Sequence, residues 1–164
     1  MRTKQKGKTA PMGRRRKPYL VMVIGQHHRA RALLVNVLSN EVPHVILTTA
    51  ENLREAMMCM DMDEPAPNEL LPRVIVYCPA DEQPPSEVNA ACARIASYTE
   101  NAKRRVAKII LFTGRVMLKP AVAEVTMIMQ PDIRAVCDLV KRHAPRGFQR
   151  TPKNMPSPKN TRVL

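Results

Sequence analysis

Aromatic residues make up only 3% of this 164-residue chain, with no Trp, three Tyr and two Phe. The end segments contain a single aromatic, Phe148. That argues against a single-strand binder that works by stacking bases on aromatic rings. No stretch approaches the roughly 18 uncharged apolar residues of a membrane helix, so no bilayer-spanning segment is expected. The first eighteen residues are basic and lack the apolar core of a secretory signal. The four cysteines, at positions 59, 78, 92 and 137, form no CxxC pair. This argues against a zinc finger and for reduced thiols in a cytoplasmic protein. Glycine is scarce, at five residues, and neither GxGxxG nor GxxxxGK[ST] occurs. Gly25 stands alone after an apolar run, so no phosphate-cradling loop and no nucleotide cofactor is expected. No GxSxG elbow is present either.

Positive charge is abundant. Lys and Arg total 27 against 14 Asp and Glu, a formal net charge of +13. Its distribution is uneven. Residues 1–18 hold eight Lys or Arg and no acid, and residues 141–164 hold seven and no acid. Residues 19–140 hold 12 basic and 14 acidic side chains, so the middle of the chain is slightly acidic. Both ends are also rich in Pro and Gly and poor in apolar residues. Such segments bury too little surface to offset the entropy of ordering them. The chain therefore divides into a basic arm (1–18), one folded domain (19–144) and a basic, Pro-rich tail (145–164).

Within the domain, apolar runs alternate with helical patterns. Residues 19–24 (YLVMVI), 45–49 (VILTT), 74–77 (VIVY), 108–113 (KIILFT) and 125–129 (VTMIM) read as strands. Several are apolar throughout, as strands buried on both faces are. Residues 28–38 read as a helix with Ala32, Val35 and Leu38 inward and Leu34 beside them. Residues 51–60 present Leu53, Ala56, Met57 and Met60 on one face, with the methionines as core fillers. Residues 86–103 present Val88, Ala91, Cys92, Ile95 and Tyr98 or Thr99. Pro120 interrupts residues 116–123, so a helix there is stunted. Asp132 is placed to N-cap a last helix with Ile133, Val136, Cys137 and Val140 inward. Five strands alternating with helices in about 125 residues predict an open parallel sheet with helices on both faces. Its ligand edge lies at the strand carboxyl ends.

The domain resembles a response-regulator receiver. The local matches are LVMVIGQHHRAR (20–31), AENLREAM (50–57), VIVYCP (74–79), IILFTG (109–114) and IMQPDIRAVCDL (128–139). The resemblance implies a flavodoxin-like α/β fold of five parallel strands in the order 2-1-3-4-5, with a shortened fourth helix and a cis Gln130–Pro131 bond. It also implies a phosphoacceptor pocket, and here the chain departs from the family. Gly25 and Gln26 stand where two Mg²⁺-binding carboxylates belong, Cys78 where the nucleophilic Asp belongs, and Gln130 where a Lys belongs. Only Thr113 is kept. Magnesium takes oxygen ligands and neutralises an incoming phosphoryl group, so losing the acids removes the chemistry. The resemblance thus implies a non-enzymatic pseudo-receiver that acts by docking a protein partner or its own copy.

The arms suggest contact with DNA or RNA through counterion release. Arg14, Arg15, Arg16 and Lys17 are the first candidates, followed by Arg146, Arg150, Lys153 and Lys159. Nucleoid or nuclear association is compatible with this. An alternative is a nucleic-acid- or ribosome-associated protein with an α/β scaffold. A weaker alternative places a metal or an activated thiol at His27, His28 and Cys78, because strand ends one and three adjoin in this topology.

Overall fold

The computed structural model describes residues 18–62, 72–101 and 107–145. Element order is β1 (Tyr19–Gly25), α1 (His28–Glu41), β2 (Val45–Ala50), α2 (Leu53–Met62), β3 (Val74–Cys78), α3 (Pro85–Asn101), β4 (Lys108–Thr113), β5 (Val125–Met129) and α4 (Ile133–Arg142). All strand pairs are parallel, and the sheet order is β2-β1-β3-β4-β5. The Gln130–Pro131 bond is cis. Both features match the receiver resemblance. No helix among the described residues is long and apolar enough to cross a membrane.

Strand alternation divides the core into two layers. Val21, Val23, Val74, Val76, Ile110 and Phe112 face one side, with Leu34 and Leu38 of α1 and Val136 and Val140 of α4. Met22, Ile24, Ile75, Tyr77, Ile109 and Leu111 face the other, with Ala56 and Met60 of α2 and Val88, Cys92 and Ile95 of α3. The central strands β3 and β1 are buried on both faces, which explains their unbroken apolar runs.

Local chemistry sets the helix ends. Asn52 Oδ1 accepts from the Glu55 N–H at 2.9 Å, while the Glu55 carboxylate accepts from the Glu51 N–H. This reciprocal cap starts α2 at Leu53, two residues later than the periodicity predicts. Pro85 opens α3, where its missing N–H costs nothing. Asp132 caps α4 as expected, accepting from the Ala135 N–H at 3.0 Å.

Two expectations need correction. The inward face of α1 is Arg31, Leu34 and Leu38; Val35 is half-buried and Ala32 is exposed. The face is rotated by about one residue because a charged side chain occupies an inward position. The stunted helix between β4 and β5 is absent altogether: residues 114–124 contain no helical turn. Pro120 breaks the helical ladder and is itself buried, holding the linker to the body. Met117 and Val122 pack on the core, while Val116 is 95% and Leu118 89% exposed.

The two basic segments anticipated at the ends fall, from 1 to 17 and from 146 to 164, outside the described residues. Arg14, Arg15, Arg16, Lys17, Arg146, Arg150, Lys153 and Lys159 therefore lie there too.

Candidate functional site

Where a parallel strand ends, its last carbonyl oxygens lose their ladder partner and need another donor. At the carboxyl edge of β1 and β3, Gly25 lies in register with Cys78. The strands approach so closely that a Cβ on Gly25 would stand 3.0 Å from the Cys78 Cβ and 3.2 Å from its carbonyl oxygen. Arg31 Cγ would lie 3.7 Å away. A side chain at position 25 would thus be crowded by Cys78, with Arg31 Cγ in ordinary contact.

The Arg31 side chain, buried to 7% exposure, reaches back from α1 to this edge. Its guanidinium donates to the carbonyl oxygens of Gly25 and, at 3.2 Å, Gln26, and approaches Glu51 Oε1 at 3.5 Å. A second arginine serves the neighbouring loop. Arg115 donates to the Gln83 carbonyl and, at 3.5 Å, to that of Ala80. Two guanidinium groups therefore take carbonyl oxygens of the kind that a hard cation at this edge would take. With no carboxylate at positions 25, 26 or 78, these residues do not fit Mg²⁺.

The remaining pocket residues sit where the sequence places them. Thr113 is buried, and its Oγ1 accepts from the Arg115 N–H at 3.2 Å. Gln130 is exposed and donates from Nε2 to the Phe112 carbonyl at 3.3 Å. Cys78 is buried, and burial pushes its thiol up to about 12. It stays protonated near neutrality and is a poor nucleophile. His27 and His28 are exposed. Among the described residues, no group of three or more His, Cys, Asp or Glu is placed to hold a metal.

The pocket positions Gly25, Gln26 and Cys78 themselves line a cleft of about 720 Å³ that runs between α2 and α3. Arg54, Arg94, Glu51, Glu82 and Glu87 rim it, with Tyr77 and Cys78 at its base. The Tyr77 hydroxyl donates to Gln83 Oε1 at 3.0 Å, which helps hold the β3–α3 loop.

Sequence patterning did not foresee Arg31 or Arg115 at this edge. The available signal for Arg31 was its spacing, three and seven residues before Leu34 and Leu38 on the inward face of α1. Replacing Arg31 with Met keeps its aliphatic packing and orphans two carbonyl oxygens. We expect a loss of about 1–3 kcal/mol of stability by denaturant unfolding, with Arg31→Lys recovering only part of it.

No family model and no curated protein sequence matches the chain. Solved structures do. Response regulator TrrA of Thermotoga maritima, crystallised with Mg²⁺-BeF, shares 19% identity over 76% of this chain and 98% of its own, with a TM-score of 0.56. A LuxR-family DNA-binding response regulator of Silicibacter pomeroyi shares 16% over 79% and 99%, at 0.55. The signal receiver domain of an HD-domain protein of Pseudomonas fluorescens shares 20% over 79% and 94%, also at 0.55.

Proposed function

On the premise of a receiver fold, we propose that this chain is a phosphorylation-independent pseudo-receiver. It is a regulatory module that docks a protein partner or a second copy of itself, while its basic arms contact DNA or RNA. The observation that carries this reading is the state of the pocket. The positions where the family's acids belong hold Gly25, Gln26 and Cys78; Cys78 crowds position 25, and the Arg31 guanidinium donates to the Gly25 carbonyl. Aspartyl phosphorylation needs a carboxylate nucleophile at the end of β3 and carboxylates at the end of β1 to hold a cation, and Cys78, Gly25 and Gln26 stand at those positions. On this reading the module is not an enzyme, and its output does not depend on a phosphoryl group.

The polyanion part of the proposal draws support from charge placement. Fifteen Lys or Arg fall in residues 1–18 and 141–164, which hold no acid. A fold of the same kind occurs in a DNA-binding response regulator of Silicibacter pomeroyi.

The test of the docking module is incubation with labelled acetyl phosphate and Mg²⁺, followed by intact-mass measurement. No phosphoryl adduct is expected under conditions that fully modify a working receiver. Stoichiometric, acid-stable but base-labile label would overturn the proposal.

A further inference from the structure

The cleft between α2 and α3 has no part in the phosphorylation-independent reading beyond its missing acids, yet it is a shaped and charged cavity. It lies where the strand order reverses. β2 flanks β1 on one side and β4 flanks β3 on the other, so the connections diverge between β1 and β3. An open parallel sheet leaves a crevice for ligands at that point, outside the strand carboxyl ends. A volume of about 720 Å³ suits a small molecule. The floor is Gly25, Tyr77, Cys78, Ala80 and Ala91, all of them buried.

The walls carry charge in a fixed order. Each helix that follows a strand starts at the carboxyl edge and runs back along the sheet. On α3, Glu87, Ala90, Ala91 and Arg94 line the cleft, at a spacing that keeps them on one helix face. A rise of about 1.5 Å per residue puts Glu87 and Arg94 ~10 Å apart along the axis. The two alanines between them leave room for the body of a ligand. On the opposite wall, Glu51 precedes α2 and Arg54 lies inside it. Glu82, in the β3–α3 loop, adds another acid at the edge. Carboxylates thus mark the outer end of the cleft and guanidinium groups the inner end. Among the described residues, ion pairs join Arg31 to Glu51 and Lys108 to Glu124. Arg54, Arg94, Glu82 and Glu87 are exposed and enter neither pair.

We propose that this cleft binds a small dipolar molecule. Its cationic group, an ammonium or guanidinium, sits at the outer end by Glu82 and Glu87. Its anionic group, a carboxylate or phosphate, sits at the inner end by Arg54 and Arg94, with a short apolar body over Ala90 and Ala91. The order of charges sets the selectivity. A ligand with one charge leaves the pair of like-charged side chains at the other end without a partner, and a reversed dipole meets repulsion at both ends. The buried floor keeps water from one side of the ligand, which strengthens both contacts relative to open solvent. The proposal goes beyond the docking reading and does not involve the basic arms.

The test uses the full chain and trialanine, whose ammonium and carboxylate stand about 10 Å apart when the peptide is extended. N-acetyl-trialanine keeps only the anion, and trialanine amide keeps only the cation. Titrations followed by amide-resolved NMR should show saturable shifts with trialanine at Glu82, Glu87, Ala91 and Arg94. Each capped peptide should bind roughly two- to fivefold more weakly, as expected for losing one solvent-exposed charge contact. Glu82→Gln/Glu87→Gln should erase the preference over the acetylated peptide, and Arg54→Gln/Arg94→Gln the preference over the amide. All four side chains are exposed, and thermal unfolding checks that both variants stay folded. Equal binding of the three peptides, shifts scattered away from the cleft, or no saturable shift with trialanine would overturn the proposal. None of those results bears on the pseudo-receiver reading, which the acetyl phosphate experiment decides.

Discussion

Replacing Arg14, Arg15, Arg16 and Lys17 together with Gln is expected to weaken DNA or RNA binding roughly a hundredfold or more at low salt. Each cation that neutralises a phosphate releases a condensed counterion, and the release makes log affinity fall with log salt by about 0.9 per contact on duplex DNA. Four lost contacts should therefore flatten the salt slope by roughly 3 to 4. The folded domain from 19 to 144 holds 14 basic and 14 acidic side chains, so its net charge supplies no compensating long-range attraction. Fluorescence anisotropy across a salt series measures both quantities. An unchanged slope would mean that these four residues do not meet phosphates. The substitutions lie before Tyr19, the first strand residue, so unfolding temperature should not move.

The largest expected loss of stability comes from the sheet centre. Ile110 in β4 is fully buried between β3 and β5, in the layer that α1 and α4 cover. Ile110→Ala removes three carbons from a close-packed site that backbone hydrogen bonds on both sides keep from collapsing. A cost of about 3 kcal/mol follows from lost transfer energy and the residual cavity. Domains of this size have about 5–15 kcal/mol in total, so the unfolding temperature should fall on the order of 10 °C. Calorimetry reads this directly. A loss below about 1 kcal/mol would mean that the β3–β4 core rearranges around the gap. The Arg14–Lys17 substitutions and Ile110→Ala thus separate binding from stability.

The strands were legible because a parallel sheet buries both faces. VIVY and KIILFT have no other stable place than a sheet interior, and the structure puts β3 and β4 on those residues. The handedness of the crossovers then follows from alternation with helices, whereas the order 2-1-3-4-5 is what the receiver resemblance implies. The pocket positions were legible through order as well: Gly25, Cys78, Thr113 and Gln130 all fall at the carboxyl ends of strands. The cations at that edge were not. A charged residue in an amphipathic helix is read as solvated, and Arg31 is buried only because strand-end carbonyls wait for it across a loop. That need arises from tertiary geometry and leaves no period in the sequence. Arg115 is harder still, since it follows a strand with no helix to give it a face. The absence of the helix between β4 and β5 was half-legible. Pro120 forbids a long one, but the in-and-out packing of Met117 and Val122 depends on α3 and the sheet already being in place.

Arg73 donates from its N–H to the Leu20 carbonyl at 2.8 Å and from Nε to the His143 carbonyl, which ties the start of β1 to the end of α4. The folded body starts and stops at neighbouring points, so a short Gly-Ser bridge from Pro145 to Pro18 can close it into a ring. The ring can then be opened beside Leu118, whose side chain is 89% exposed. The circular permutant keeps the sheet order and the pocket while carrying neither arm, which turns the domain into a transplantable part whose docking can be assayed apart from its charge.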